Sequence, residues 1–394
     1  MKLAIFTPFL YPFHVDMLEV FGSKVETRLF TCGIYGNYPF KHLLKNAEIL
    51  ECTNLAGSKM IGPLGLIKFL RYKSNAVIIF GIESLAGLIV YLVSSLRRAR
   101  VLVIVEENNV TLLSNSFLNF LQKLKRQFVR LVYRHAPILI AESHASEKYV
   151  LEVLRVKRDK PIIVRVHGVN TDRYLKFASM PRTHAKRVML KVLGLPKNLL
   201  MRKWCTFIGE PSYYKGADIL LDTIDILQKV PEVAVNTVFL FPNMKLLRDK
   251  EELKECYEQK LRKLLACELV VLYGSVKSQY MPILYRASDV IVLPSRLLTY
   301  TSSDRSPNVA LEALASGNIL VASYVGGIPT IVGTAALLVK PNDPHALATK
   351  LCQVLNKYEK YRHLEEKARE RAVNELDIKF YSYALLELLL KHYN

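Results

Sequence analysis

The sequence predicts an α/β protein with two Rossmann-like, doubly wound parallel sheets, one per domain, facing a cleft. Short runs rich in Val and Ile alternate with helical patterns along the 394 residues. The alternation occurs twice, and a basic, less regular segment near Met180–Lys203 separates the two rounds. The runs are near-continuous in apolar residues, as in strands covered by helices on both faces. A chain of this length can bury two cores.

The first round opens with "KLAIFT", which reads as a strand and not as a signal peptide. "AVIIF", "RVLVIV", "ILIAE" and "PIIVRV" follow; "WCTFIG", "NTVFLF", "ELVVLY", "DVIVLP" and "NILVAS" form the second round. The expected division is 1–175, 176–372, and a C-terminal helix over 373–394 that packs back toward the first domain. Ala76–Leu96 has membrane-spanning length, but Glu83 and its flanking glycines divide it into a strand, a loop and a helix.

Half of the residues are hydrophobic and charged residues are at an ordinary level, which excludes a disordered chain. The net charge is +20, leaning toward the first half. Such a field suits nucleic acid, anionic lipid or phosphorylated substrates without choosing among them. The six cysteines form no CxxC pair and no metal-like cluster with His, so free thiols and a cytoplasmic location are expected. Ser116–His135 carries apolar residues at 117, 121, 124, 128 and 131–132, a helical period, together with Lys123, Lys125, Arg126, Arg130 and Arg134. No acid occurs from Asn108 to Ala141. Two readings stay open: a core-facing stripe with a solvated basic face, or contact with an anionic membrane surface or lipid-diphosphate acceptor.

The stretch "DRSPNVALEALASG", Asp304–Gly317, combines the features of an anion pocket. Ser306 is a good N-cap, Pro307 suits the first helical turn, and Gly317 closes the helix. The helix start directs amides and a positive dipole end toward the loop bearing Asp304. Glu312 lies about one and a half turns further in.

With these pieces placed, the chain from about Pro161 to Asp343 resembles retaining glycosyltransferases of the GT-B fold, family 4. "VRVHGVNTDRY" is similar to the family's junction motif, "VLGLP" to the segment before its second domain, and "FIGEPSYYKGADILLDTI" to its phosphate-side loop and helix. "ILYRASDVIVLPS" and "VASYVGGIPTIV" resemble two later strands, and the opening stretch of the pocket resembles the E-x7-E motif with Asp304 at its first position.

The resemblance implies a nucleotide-diphosphate-sugar donor, a glycan or lipid-linked hydroxyl acceptor, and no other cofactor. Glu312 would bind the ribose hydroxyls and Asp304 those of the sugar. The amides of Asn308 and Val309 would face the diphosphate, with Lys215 neutralising it beside Gly209. No D-x-D motif occurs, in keeping with metal-independent chemistry. Two positions depart from the pattern. Glu210 stands where the family has Arg, so Arg305 or Arg296 would have to replace that cation. Glu107 stands where many members have His; it would bind a donor hydroxyl or help deprotonate the acceptor, or it is a solvated loop acid. His14 lies in the first strand–helix loop, with a ligand-facing and a structural reading both open, and His167 replaces the junction Asn. Alternative functions within the same fold are a catalytically lapsed protein that binds glycan or nucleic acid, and a nucleotide-sugar epimerase or phosphorylase.

Overall fold

Strands buried on both faces require helices on both sides, and both sheets are built this way. The computed structural model describes residues 1–33, 46–55, 58–105, 116–243, 250–297 and 307–391. The chain divides into two units, Met1–Gly168 with Ile378–Asn394, and Val169–Asp377.

In the first unit, β1 (Lys2–Thr7) leads to α1 (Pro12–Gly22), β2 (Glu26–Thr31) and β3 (Ala47–Ile49). A hairpin of β4 (Cys52–Leu55) and β5 (Ser58–Ile61) precedes α2 (Pro63–Arg71) and β6 (Ala76–Phe80). Then come α3 (Leu85–Leu96), β7 (Arg100–Val105), α4 (Ser116–His135), β8 (Ile138–Ala141), α5 (His144–Lys148) and β9 (Ile163–Val164). The seven-stranded sheet has the order β3-β2-β1-β6-β7-β8-β9, and every pairing is parallel. Alternate residues of each strand enter opposite cores. Ala4, Phe6, Val77 and Val103 pack under α2, α3 and α4. Leu3, Ile5, Ile78 and Ile104 pack under α1 and the final helix, Ile378–Lys391. The would-be membrane span is thus β6, a loop and α3, and no described helix is long and apolar enough to cross a membrane.

The apolar residues of α4 divide between two sides: Leu124, Phe128 and Leu131 are 45%, 49% and 54% exposed, whereas Val132 of the same stripe is buried with Val129 and Tyr133. One expectation fails in this unit. The six cysteines are not all free, because Cys32 and Cys52 form a disulfide with their Cα atoms 5.5 Å apart. Their separation of 20 residues carries no motif; the end of β2 and the start of the hairpin bring them together only in the fold.

In the second unit, α6 (Thr171–Leu175), α7 (Arg182–Leu193), β10 (Lys203–Thr206), α8 (Ala217–Leu227) and α9 (Pro231–Asn236) come first. They are followed by β11 (Thr237–Pro242), α10 (Glu251–Ala266), β12 (Val270–Tyr273), α11 (Met281–Ala287), β13 (Val290–Leu293) and α12 (Asn308–Ser316). The unit closes with β14 (Ile319–Ser323), α13 (Ile328–Val332), β15 (Leu337–Val339), α14 (Pro344–Asn356), α15 (Tyr358–Tyr361) and α16 (His363–Glu375), before the final helix of the chain, α17 (Ile378–Lys391). The sheet order is β12-β11-β10-β13-β14-β15, again all parallel.

A buried polar network locks the amino end of β10 and β13. The Asp289 carboxylate accepts the Trp204 amide at 2.7 Å and pairs with Lys186 at 2.7 Å. Arg182 pairs with Glu365 at 2.9 Å, and the Tyr358 hydroxyl also donates to Glu365 at 2.7 Å. Charges this deep persist only when mutually satisfied, and removing one partner typically costs about 3–5 kcal/mol. The opposite, carboxyl end of the sheet is left to loops.

The disulfide gives a direct test. Alkylation of the denatured, unreduced chain should modify the four remaining cysteines, Cys205, Cys256, Cys267 and Cys352, and reduction should raise the number to six. Modification of all six without reductant would exclude the bond.

Candidate functional site

Open parallel sheets bind ligands beyond the carboxyl ends of the strands, where the strand order reverses. In the second unit that point lies between β10 and β13. Two pieces of chain meet there, the turn after β10 and the end of β13, and α12 is the next described helix along the chain.

The turn after β10 is held by close backbone approach. Gly216 has φ +70°, and a Cβ added there would lie 2.0 Å from the Pro294 carbonyl oxygen. Only glycine fits both the left-handed backbone and that contact. The Arg296 amide donates to the Tyr214 carbonyl at 3.1 Å, joining the end of β13 to the same turn. The Arg296 guanidinium lies 3.9 Å from the Tyr213 ring centroid and donates to the Asp218 carboxylate. Burial pushes the Asp218 carboxyl up, and Arg296 opposes that shift. Lys215 follows in this turn; its amide donates to Ser212 Oγ at 3.1 Å, and its ammonium sits 5.2 Å from the Tyr214 ring centroid. Such a cation–π contact stabilises the ammonium. Gly209, at φ +115°, and Glu210 are exposed at the beginning of the turn.

Helix α12 begins at Asn308 with Pro307 at its cap, one residue later than the sequence implies. The amides of Asn308 and Val309 therefore occupy the first turn, where no intrahelical carbonyl is available. Ala310, Leu311, Ala313 and Leu314 are buried, which fixes the helix against the sheet. Glu312 is half-buried, and its Oε2 accepts the Tyr285 hydroxyl at 2.7 Å. Tyr285 on α11 is fully buried, edge-on to Tyr174 at 5.9 Å. Burial, reinforced by the Glu312 charge, holds the Tyr285 phenol well above its ordinary pKa, so it stays a donor. A carboxylate fixed on one oxygen in this way is oriented before any ligand arrives.

Residues 202–357 match the family model described as Glycosyl transferases group 1. The match lies within the second unit. The chain is 28% identical over 226 residues to the D-inositol 3-phosphate glycosyltransferase of Corynebacterium aurimucosum, covering 56% of this chain and 49% of that protein. The chain spans about half the length of the curated relatives it matches. Its fold is that of GT-B structures. A glycosyltransferase from Rickettsia africae ESF-5 superposes with a TM-score of 0.74 at 16% identity, covering 99% of this chain and 98% of that one. HepE from Anabaena, solved in complex with UDP-glucose, gives a TM-score of 0.72 at 18% identity, covering 99% of this chain and 100% of that one.

Within the matched region, Gly209, Glu210 and Lys215 follow β10, and Asn308, Val309 and Glu312 lie on the helix after the adjacent strand β13. Asp304, Arg305 and Glu107 lie outside the described residues. Arg296, a candidate to replace the missing family Arg, is engaged with Asp218 and Tyr213 inside the domain. Sequence reasoning missed Tyr285, whose only signal was its place in "ILYRASDVIVLPS".

Both histidines singled out in the first unit are buried. His14 Nδ1 accepts the Tyr11 amide at 3.1 Å, and His167 Nδ1 lies 3.4 Å from Glu142. Phe13 stacks on His167, with centroids 4.3 Å apart. Burial, and secondarily His167, holds the His14 pKa well below its ordinary value.

Two outcomes are expected. Tyr285→Phe should lower folding stability by about 1.5–3 kcal/mol, the worth of a hydrogen bond to a charged group; urea denaturation checks it. For His14 the unfolded state binds its proton near the ordinary value while the native state resists it. Stability is therefore fully present above about pH 6.5 and lost on acidification below it. Urea midpoints at about pH 7.5 and about pH 5 should fall less in His14→Gln than in the wild type.

Proposed function

We propose that the chain transfers a sugar from a nucleotide-diphosphate donor to a hydroxyl of a glycan or lipid-linked acceptor, with retention and without a metal. The observation that carries this reading is the preset carboxylate of Glu312, held by the Tyr285 hydroxyl one turn inside the helix that follows β13. Glu312 would accept hydrogen bonds from the ribose, while Lys215 and the amides of Asn308 and Val309 would take the charge of the departing diphosphate. In this scheme the bond from the anomeric carbon to the phosphate oxygen breaks and a bond to the acceptor oxygen forms. The acceptor proton passes to the leaving phosphate, which accounts for attack on the same face. Asp304 would hold the sugar hydroxyls, and Glu107 would bind the donor or assist acceptor deprotonation. HepE binds UDP-glucose, which makes a uridine donor the first to try.

Glu312→Ala and Lys215→Ala should each weaken UDP binding by about 1.5–3 kcal/mol. Asp304→Ala should leave UDP binding nearly intact and slow transfer at least about tenfold, as the loss of a positioning contact would. Thermal shifts with nucleoside diphosphates and donor-consumption assays with and without acceptor read these outcomes. Unchanged affinity in both donor-side variants removes the assignment of the site. UDP binding with no donor consumption under any acceptor favours a lapsed binding protein.

A further inference from the structure

We propose that the layer formed by α2, α3 and α4 docks on an anionic lipid surface. The argument starts from charge. From Cys52 to Ala141 the chain has twelve Lys and Arg but three acids, Glu83, Glu106 and Glu107. Helices α2, α3 and α4 contain no acid. Glu83 is buried, accepts the Tyr133 hydroxyl and faces Lys125. Lys68 on α2 pairs with Glu48 at 3.7 Å. The charge left over therefore lies on α4, where Lys123, Arg126, Arg130 and Arg134 enter no ion pair among the described residues.

The second observation is apolar. All three helices cover the same face of the sheet and share one core, yet each also turns large apolar side chains outward. Leu124, Phe128 and Leu131 form an exposed i, i+4, i+7 stripe on α4. Leu92 and Leu96 are exposed on α3, and Leu64 and Ile67 on α2. A core-facing helix needs one apolar stripe, and α4 has a second that the fold does not use. Exposed apolar rows beside cations mark a partner surface.

The helices are also continuous with one another. Arg97 donates to the Leu70 carbonyl at 2.9 Å, tying the end of α3 to α2, and α3 packs on α4. Arg126 donates to the Val153 carbonyl at 3.2 Å. These cations are held by carbonyls and keep their charge uncompensated. Lys123, Arg126 and Arg134 are exposed beside the α4 stripe. A lipid surface uses both features at once, since headgroups meet the cations and the stripe enters the acyl boundary. Nucleic acid would use the cations alone.

The proposal does not rest on sugar transfer, so binding is measured without donor or turnover. The full chain should sediment at low salt with vesicles containing phosphatidylglycerol and not with phosphatidylcholine alone. Lys123→Gln/Arg126→Gln/Arg130→Gln/Arg134→Gln should lose about fivefold in affinity per charge. Leu124→Ser/Phe128→Ser/Leu131→Ser should lose at least about tenfold for vesicles while eluting from heparin at the wild-type salt concentration. All substituted side chains are at least partly exposed, so Tm should be unchanged, and a UDP thermal shift reports separately on the donor-site reading. Wild type that ignores anionic vesicles at low salt overturns the proposal. So does a Ser variant that binds vesicles as the wild type does, which would leave a polyanion site for nucleic acid.

Discussion

The contact between Gly216 and the Pro294 carbonyl determines how the second unit presents its site. With no Cβ, the turn after β10 lies directly on the end of β13. That proximity lets the Arg296 amide reach Tyr214 and lets the guanidinium stack on Tyr213 and meet Asp218. A bulkier residue would part the two strand ends and release Arg296 from a nearly buried partner, exposing an uncompensated carboxylate. The position of Lys215 follows from the same turn. Preorganisation at this edge is therefore a property of backbone approach first and of charge second.

That arrangement bears on the departure at Glu210. An acid near a diphosphate opposes binding by about 1 kcal/mol at 4 Å in water-like surroundings, and by more as water is excluded. Glu210 is exposed at the lip of the turn, where solvent keeps that repulsion small. Arg296 would give a bound anion little in return, since its charge is largely matched by Asp218. In the proposed scheme the attraction would rest on Lys215 and the start of α12.

The sequence made legible what burial imposes on both faces of a strand. Runs such as "AVIIF" and "DVIVLP" became β6 and β13 because a doubly covered strand leaves no polar period to misread. The end of α12 at Gly317 was equally readable. Long-range pairing was not. Cys32 and Cys52 carry no spacing signal, and nothing in the segment read as leading into a strand set Tyr285 apart before its hydroxyl was placed on Glu312. Helix α4 shows a third kind of loss. Periodicity found a real apolar stripe, but period alone cannot say which of two stripes the sheet will cover. Val129, Val132 and Tyr133 prevailed because they fit the strands beneath them.

The two units spend their charge differently. In the second, Arg182, Lys186 and Arg296 are paired with Glu365, Asp289 and Asp218, so much of its charge is structural. In the first, Arg97 beyond the end of α3 and Arg126 on α4 lie outside and donate to carbonyls, leaving a net field. Salt acts on these two populations unequally. Exposed charges are screened beyond about 8 Å at physiological ionic strength, whereas buried pairs are screened much less. Attraction to an anionic surface through α4 should therefore fade with salt well before the Asp289 network loosens. The proposed surface association and the integrity of the second unit are thus physically separable within one chain.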